Sequence, residues 1–297
     1  MFEQLGLVGC GLMGGSFALA LKRAGLVRRV RGYSPSARTR LRAVELGVID
    51  EAVDTPQQAA QGSDLVLLAV PVAATLGTLQ ALQAHITPTM LVMDVGSTKQ
   101  DVVSAAQMAL GDALPSFVPA HPVTGREVAG VEHALAELYQ GSQVILTPLP
   151  CTREAQLVQA RAVWSAVGAR VLSLSPQAHD EALAAVSHLP HLLAFAFINA
   201  LANQESGAGF LALAGPGFRD FSRIAASEPS VWRDILLANQ KDILAQSRRF
   251  RQELEAFEAL IAAGDATAIT SEIARASTVR SAWRPGQSDS QTPATTA

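Results

Sequence analysis

The stretch Gly6-Leu7-Val8-Gly9-Cys10-Gly11-Leu12-Met13-Gly14-Gly15-Ser16-Phe17 decides the fold of this 297-residue chain. Gly6–Val8 reads as the end of an apolar strand, and Phe17, Ala18 and Leu21 recur at helical spacing just beyond it. Between them Gly9, Gly11 and Gly14 fall in a G-x-G-x-x-G pattern, the dinucleotide-binding fingerprint in its proper strand–turn–helix setting. Each glycine has its own reason: a tight turn at Gly9, backbone approach to a pyrophosphate at Gly11, and close packing of helix on strand at Gly14. Leu12 and Met13 complete the binding turn, where unpaired N–H groups and the helix dipole favour an anion. The cofactor expected is NAD or NADP. The apolar run Leu5–Leu21 has no basic leader and is broken by glycines, which suits a strand, turn and helix far better than a signal peptide or a membrane span. No other segment reads as long and apolar enough to cross a bilayer.

Outward from this turn, short apolar runs alternate with helical stretches: Val30–Tyr33, Leu65–Ala69, Leu91–Asp94, Ser116–Pro119 and Gln143–Thr147, then Glu154–Val167 followed by Arg170–Leu174. Parallel βαβ units give that alternation. The expected fold class is therefore α/β, with a Rossmann-type doubly wound sheet over residues 1–175. Past Ser175-Pro176 the pattern becomes Ala/Leu-rich and helical over Ala178–Asn203, Pro229–Ala263 and Ala266–Ala282, predicting an all-helical second domain over 176–284. Residues 285–297 are rich in Ser, Thr, Gln and Pro and read as a disordered tail.

Composition narrows the function. Hydrophobic residues make up 49% and charged residues 16% of the chain, values for a compact globular protein whose length favours two domains. A net charge of −3 without a Lys/Arg block leaves no electrostatic footprint for nucleic acid or an anionic membrane, so the partners expected are small molecules. Cys10 and Cys151 are too few for a disulfide framework and lack zinc spacing, which suits a reduced cytoplasmic setting.

The second strand should end on an Asp or Glu for the adenosine ribose. Here Val30-Arg31-Gly32-Tyr33 runs into Ser34-Pro35-Ser36, with Arg38 and Arg40 behind. Two readings stand: a hydroxyl with guanidinium groups that admits the 2′-phosphate of NADP, or a plain turn with solvated arginines.

Three further motifs carry chemistry. Asp94-Val95-Gly96-Ser97-Thr98-Lys99 and His121-Pro122-Val123-Thr124-Gly125-Arg126-Glu127 each follow a predicted strand, on the carboxyl edge where open α/β sheets bind ligands. Ser187-His188-Leu189-Pro190-His191 interrupts an apolar helical stretch. Together with Gly217-Phe218-Arg219-Asp220-Phe221-Ser222-Arg223-Ile224-Ala225 and Val231-Trp232-Arg233-Asp234-Ile235, this order of motifs resembles the prephenate/arogenate dehydrogenase family over about Gly6 to Asn239. The fingerprint alone is shared by many families, whereas the later motifs in combination are specific. Two positions depart from the family pattern: Ser34 replaces an acid, and Thr124 stands where a small residue is usual.

The resemblance implies a homodimer whose dinucleotide domain and helical dimerisation domain enclose the active site. It implies removal of a hydride from the carbinol carbon of prephenate while the carboxylate on the opposite ring carbon leaves as carbon dioxide, a step on the route to tyrosine. By the same resemblance His121 accepts the 4-hydroxyl proton, Ser97 is its hydrogen-bonding companion, and Arg223 anchors a carboxylate, with Arg219 and Arg233 as competitors for that part. His188, His191 and Trp232 line the substrate site. Packed-loop, helix-capping and core roles are the plain alternatives for His121, Ser97 and Trp232 respectively. His179-Asp180 reads as a structural pair. No metal is expected, because no HExxH or carboxylate-supported triad is present. Arogenate is the nearest rival substrate. The other rivals are a two-domain hydroxy-acid or imine dehydrogenase, which would have only Lys241 as its helical-domain lysine, and a nucleotide-sensing regulator with no use for His121.

Overall fold

A computed structural model describes residues 1–126 and 128–284, so the tail expected at 285–297 and Glu127 lie outside the described residues. Strands β1 (Phe2–Val8), β2 (Val27–Tyr33), β3 (Glu51–Ala52), β4 (Leu65–Leu68), β5 (Leu91–Asp94) and β6 (Phe117–Val118) form a parallel sheet of order β3-β2-β1-β4-β5-β6. That is the strand order of doubly wound dinucleotide-binding folds, which reverses direction between β1 and β4. The helices among these strands are α1 (Leu12–Arg23), α2 (Ala37–Glu45), α3 (Pro56–Ala60), α4 (Thr75–Leu82), α5 (Gln100–Leu110) and α6 (Glu154–Ala166).

Both faces of the sheet are covered, which is why its central strands read as unbroken apolar runs. Leu65 and Leu67 point into one core with Leu5, Phe17 and Trp164, while Val66 and Leu68 point into the other with Val92, Leu79 and Phe117. Phe17 packs on Trp164 at a centroid distance of 4.8 Å, and Tyr139 packs on Trp164 at 5.1 Å. The Tyr139 hydroxyl donates to the Met13 carbonyl at 2.6 Å, so the first turn of α1 is held from the core side.

The sheet departs from the expected single parallel run after β6. Pro119 has no N–H to continue a ladder, and the apolar stretch splits there. Strands β7 (Ala120–Val123), β8 (Gln143–Leu146) and β9 (Arg170–Ser173) form a separate sheet in which β7 runs antiparallel to β8. His121 therefore sits inside a strand, opposite Ile145, rather than after one.

Beyond Ser175 the chain is helical, as expected: α7 (Pro176–Leu183), a π-helical turn Ala184–His188, α8 (Leu189–Ala202), α9 (Gly207–Ala212), α10 (Pro216–Ser222), a 3-10 turn Arg223–Ala226, α11 (Pro229–Ala238), α12 (Gln240–Ala263) and α13 (Ala266–Ala282). The Ser187–His191 motif does not interrupt its helix. Pro190 lies in the first turn of α8, and the π turn before it absorbs the missing donor without ending the run. Pro176–Ala202 is thus one helical run of 27 residues, long and apolar enough to cross a membrane, which corrects the expectation that no such segment exists. Its polar residues His179, Asp180 and His188 are nonetheless buried within the protein.

The chain divides into two compact units, Met1–Ile243 and Leu244 onward. The sheets and the helices from Pro176 to Ala238 share the first unit, so compactness does not divide the chain at residue 175. In the second, α13 is capped by Asp265, whose carboxylate accepts from Ala268 N at 2.9 Å, and Arg275 pairs with Glu272.

The glycine turn gives a direct test of packing. A Cβ on Gly14 would fall 2.1 Å from the Gly9 carbonyl oxygen and 2.9 Å from Leu7 Cδ1, whereas one on Gly11 would meet nothing within 4 Å. Gly14→Ala should destabilise the protein by about 1–3 kcal/mol, a fall of several degrees in Tm, and Gly11→Ala should leave Tm within about 2 °C. Equal Tm values for the two variants would remove the packing role given to Gly14.

Candidate active site

At the switch point between β1 and β4 the glycine turn is built to take a diphosphate. Gly9 adopts φ +106, donates its N–H to the Tyr33 carbonyl at 2.8 Å, and leaves no room for a Cβ beside Ala69. Gly11 caps α1 with no side-chain hydrogen bond, so no side chain of the cap residue occupies the N–H groups of the first turn. The empty space around Gly11 is where backbone and pyrophosphate must approach, so these residues fit a dinucleotide. Burial pushes the Cys10 thiol up to about 12, leaving it unreactive inside the turn.

The residues after β2 are less uniform than their sequence suggests. Arg40 is committed to the fold, donating to the Ser34 carbonyl at 2.7 Å and pairing with Asp54 at 2.8 Å. Ser36 caps α2 by accepting from Thr39 N at 3.2 Å. Ser34 is half-buried just past β2, and Arg38 is exposed in the first turn of α2. Of the candidates after β2, Ser34 and Arg38 are not drawn into the contacts that engage Arg40 and Ser36.

The second motif encloses a buried ion pair. Asp94, at the end of β5, accepts from Lys99 Nζ at 2.5 Å, from Gly96 N at 2.7 Å and from Ala120 N at 3.0 Å. Lys99 also donates to the Ala120 carbonyl at 3.0 Å and is fully buried. These bonds seat the start of β7, and with it His121, beside the carboxyl end of β5. Ser97 lies half-buried in the loop they enclose. It does not cap α5, whose N-cap is Lys99.

His121 is 8% exposed, and its Nδ1 lies 2.8 Å from His179 Nε2. The bonded partner of that ring nitrogen is therefore His179, not Ser97. His179 Nδ1 in turn meets Asp180 Oδ1 at 2.7 Å, and the Asp180 carboxylate accepts from Lys99 N and Gln100 N at 2.8 Å each. His179-Asp180 is thus tied to both the Ser97 loop and His121, a role that its sequence did not disclose. Burial, reinforced by the neighbouring His179, Lys99 and His188, holds His121 well below the ordinary imidazole value of 6.5. Burial would raise Asp180, but the bonds from His179, Gln100 and Lys99 outweigh it and keep the carboxyl below its usual range.

A residue that sequence reasoning passed over extends the network into the helices. Asn239, 3% exposed, donates from Nδ2 to the Asp180 carbonyl at 2.8 Å and lies 3.1 Å from His188 Nδ1. Only a donor suits a backbone carbonyl, so the amide orientation is fixed and His188 Nδ1 accepts. Burial is the main cause that brings His188 down to about 4, against the pull of Asp180. His188 meets Trp232 edge-on at 6.1 Å, and His191 stacks on Trp232 at 3.5 Å. The structure so joins His121, His188, His191 and Trp232 through His179, Asp180 and Asn239. Asn239 lies only seven residues past Trp232 in sequence, yet nothing but its burial marks it.

Arg223 opens the 3-10 turn that packs against α8. Of its competitors, Arg219 pairs with Asp220 at 3.3 Å and Arg233 with Asp234 at 2.7 Å. Thr124, the second departure from the family pattern, donates its hydroxyl to the Leu138 carbonyl at 3.3 Å.

A glycine turn at the switch point, a buried histidine at the carboxyl end of β5 and two further histidines packed on Trp232 fit a nicotinamide-dependent dehydrogenase. The prephenate dehydrogenase nucleotide-binding domain matches residues 17–173, and the prephenate dehydrogenase dimerization domain matches residues 175–274. The chain belongs to the prephenate dehydrogenase family. It is 35% identical to a prephenate dehydrogenase of Bacillus subtilis over 90% of this chain and 72% of that protein. It is also 35% identical to a cyclohexadienyl dehydrogenase of Zymomonas mobilis, over 89% of this chain and 90% of the relative. Among solved structures, prephenate dehydrogenase from Aquifex aeolicus in complex with hydroxyphenyl propionate and NAD+ superposes with a TM-score of 0.88 at 35% identity, covering 95% of this chain and 98% of that one.

The buried ion pair under His121 carries a stability test. Replacing Lys99 by Met would leave the Asp94 carboxylate buried without its cation, a change that costs about 3–5 kcal/mol. Urea unfolding of Lys99→Met should show that loss as a lower midpoint at unchanged slope. An unchanged midpoint would mean that the pair makes no net contribution.

Proposed function

We propose that the protein oxidises and decarboxylates prephenate to 4-hydroxyphenylpyruvate. The observation that carries this reading is the join between motifs: His121 at the sheet edge, the Ser97 loop and the Ser187–His191 segment are hydrogen-bonded into one cluster through Asp180. The bound dinucleotide supplies the acceptor for the carbinol hydrogen and its electron pair. His121 takes the hydroxyl proton, so the carbinol oxygen becomes a carbonyl. The bond from the opposite ring carbon to its carboxylate breaks, carbon dioxide leaves, and the electron pair aromatises the ring. The oxygen regains the proton held on His121 as a phenol, and the charges balance.

Ser97 orients the ring hydroxyl, Arg223 holds a carboxylate with its planar fork, and His188, His191 and Trp232 form the wall. Arogenate carries an ammonium where prephenate has a keto group. The His188, His191 and Trp232 wall offers imidazole and indole groups to that end rather than a carboxylate, which favours prephenate. Gly9, Gly11, Leu12, Met13 and Gly14 hold the pyrophosphate, with Ser34 and Arg38 at the ribose. In this reading residues 1–175 carry the cofactor, and 176–284 carry the substrate wall and the subunit interface of a cytoplasmic homodimer. Its support is the match to a dimerization domain and the exposure of Val186, Phe197, Phe210, Leu213, Phe221 and Leu237.

Absorbance at 340 nm with prephenate and arogenate against NAD and NADP tests the activity; absence of turnover in all four mixtures refutes it. His121→Asn should lower kcat by about 10²–10⁴-fold with KM nearly unchanged. Because the His121 imidazole is held below 6.5 in the free protein, kcat/KM should stay level on descending through pH 6.5 and fall only in more acid solution. A near-normal kcat for the variant removes His121 from the chemistry.

Ser34 lacks the charge that would repel a 2′-phosphate, so NADP should be used within about tenfold of NAD in kcat/KM, a gap of at most ~1.4 kcal/mol. Ser34→Asp should shift the preference towards NAD. A wild-type preference for NAD of a thousandfold would make Ser34 a plain turn residue.

A further inference from the structure

Asp180 is a buried carboxylate that receives three N–H groups, from Lys99, Gln100 and the His179 ring. An ionised carboxylate only accepts, so the His179 proton resides on Nδ1. With its proton on Nδ1, His179 presents the Nε2 lone pair to His121 Nδ1 at 2.8 Å. Two lone pairs cannot face each other at that distance. The proton between the rings must belong to His121 Nδ1, and the His121 lone pair is left on Nε2.

We propose that His179 and Asp180 are positioning residues that hold His121 in the Nδ1-protonated tautomer, so that Nε2 is the atom that takes the substrate's proton. The inference rests on the reading of His121 as the base. A second function follows from the same geometry. When Nε2 gains a proton the imidazolium is bonded through His179 to the Asp180 charge, while the backbone bonds from Lys99 and Gln100 keep that carboxylate from rotating away. The charged and titratable groups acting on His121 are His179 from α7, Lys99 from the loop before α5, and His188 from the π turn. Lys99 is already paired with Asp94. Among these groups, then, only the His179–Asp180 arm couples a carboxylate to the His121 ring through hydrogen bonds.

The test compares His179→Leu, which removes the acceptor, with His179→Gln, whose amide oxygen can still accept from His121 Nδ1. Expected are a kcat about 10²-fold below wild type for His179→Leu, with the KM for prephenate changed less than about threefold, and recovery of at least tenfold of that loss in His179→Gln. Nitrogen-15 NMR of the wild-type protein labelled at histidine, with His121→Asn to assign the signal, should show His121 protonated at Nδ1 near neutral pH. A His179→Leu enzyme with wild-type kcat overturns the proposal, as does a His121 ring protonated at Nε2. If both variants fail to fold, the tautomer of the wild type decides alone. A normal kcat in His121→Asn, with the Nδ1 tautomer present, refutes the base assignment and leaves the tautomer itself standing.

Discussion

One carboxylate organises the site. Asp180 accepts two backbone N–H groups at the start of α5 and the ring N–H of His179, and its own carbonyl accepts from Asn239. Those four bonds, with the His121–His179 and Asn239–His188 contacts, tie together the Ser97 loop, the strand that carries His121 and the segment that carries His188. Each element could be built by local rules alone, but their mutual placement could not. A charge of this kind is tolerable in the interior only because it is fully bonded; a half-satisfied one would cost several kcal/mol.

The buried Lys99–Asp94 ion pair does a different job at the same place. Lys99 Nζ and Asp94 hold Ala120 by its carbonyl and its N–H respectively, so the residue before His121 is clamped on both polar groups. This clamp acts on His121 through the residue before it, and the His179 contact acts through its ring. On the proposed reading the ring is held through Nδ1, which leaves Nε2 for the substrate. A rigid mounting is what a proton acceptor needs, since a misplaced atom forfeits the advantage of proximity.

Much of this was legible in the sequence where a local rule decides the outcome. Gly9 and Gly14 foretold the turn, because a positive φ at the first and close approach at the second leave no room for another residue, and the open space at Gly11 fits a dinucleotide. The apolar runs located the strands of the parallel sheet, apart from the two-residue β3, whose Glu51-Ala52 has no apolar signal. The antiparallel β7 was misread because Pro119 divides one apolar run into two strands that belong to different sheets, a choice made by tertiary packing. The Ser187–His191 segment was misread for the opposite reason: Pro190 suggested a break, and a π turn absorbed it. His179, Asp180 and Asn239 escaped notice as site residues because their meaning lies in contacts 58 to 81 positions away in sequence. Arg40 misled in the other direction, since its value for a phosphate depended on whether Asp54 had already claimed it.

The electrostatics of the cluster fit a base whose strength depends on what it binds. In the free protein burial and the neighbouring Lys99, His179 and His188 all disfavour a proton on His121, so the ring is neutral and ready to accept one. Prephenate is a dianion, and on the proposed reading its two carboxylates enter this environment together. Opposite charge nearby raises the pKa of an imidazole, so the substrate strengthens the base that attacks it, and the loss of one carboxylate as carbon dioxide removes part of that support. The proton is then easier to return to the ring oxygen. Neutral partners serve this cycle better than a second free cation would: the Lys99 charge is already balanced by Asp94, and the drop in His188 to about 4 keeps that imidazole uncharged at neutral pH.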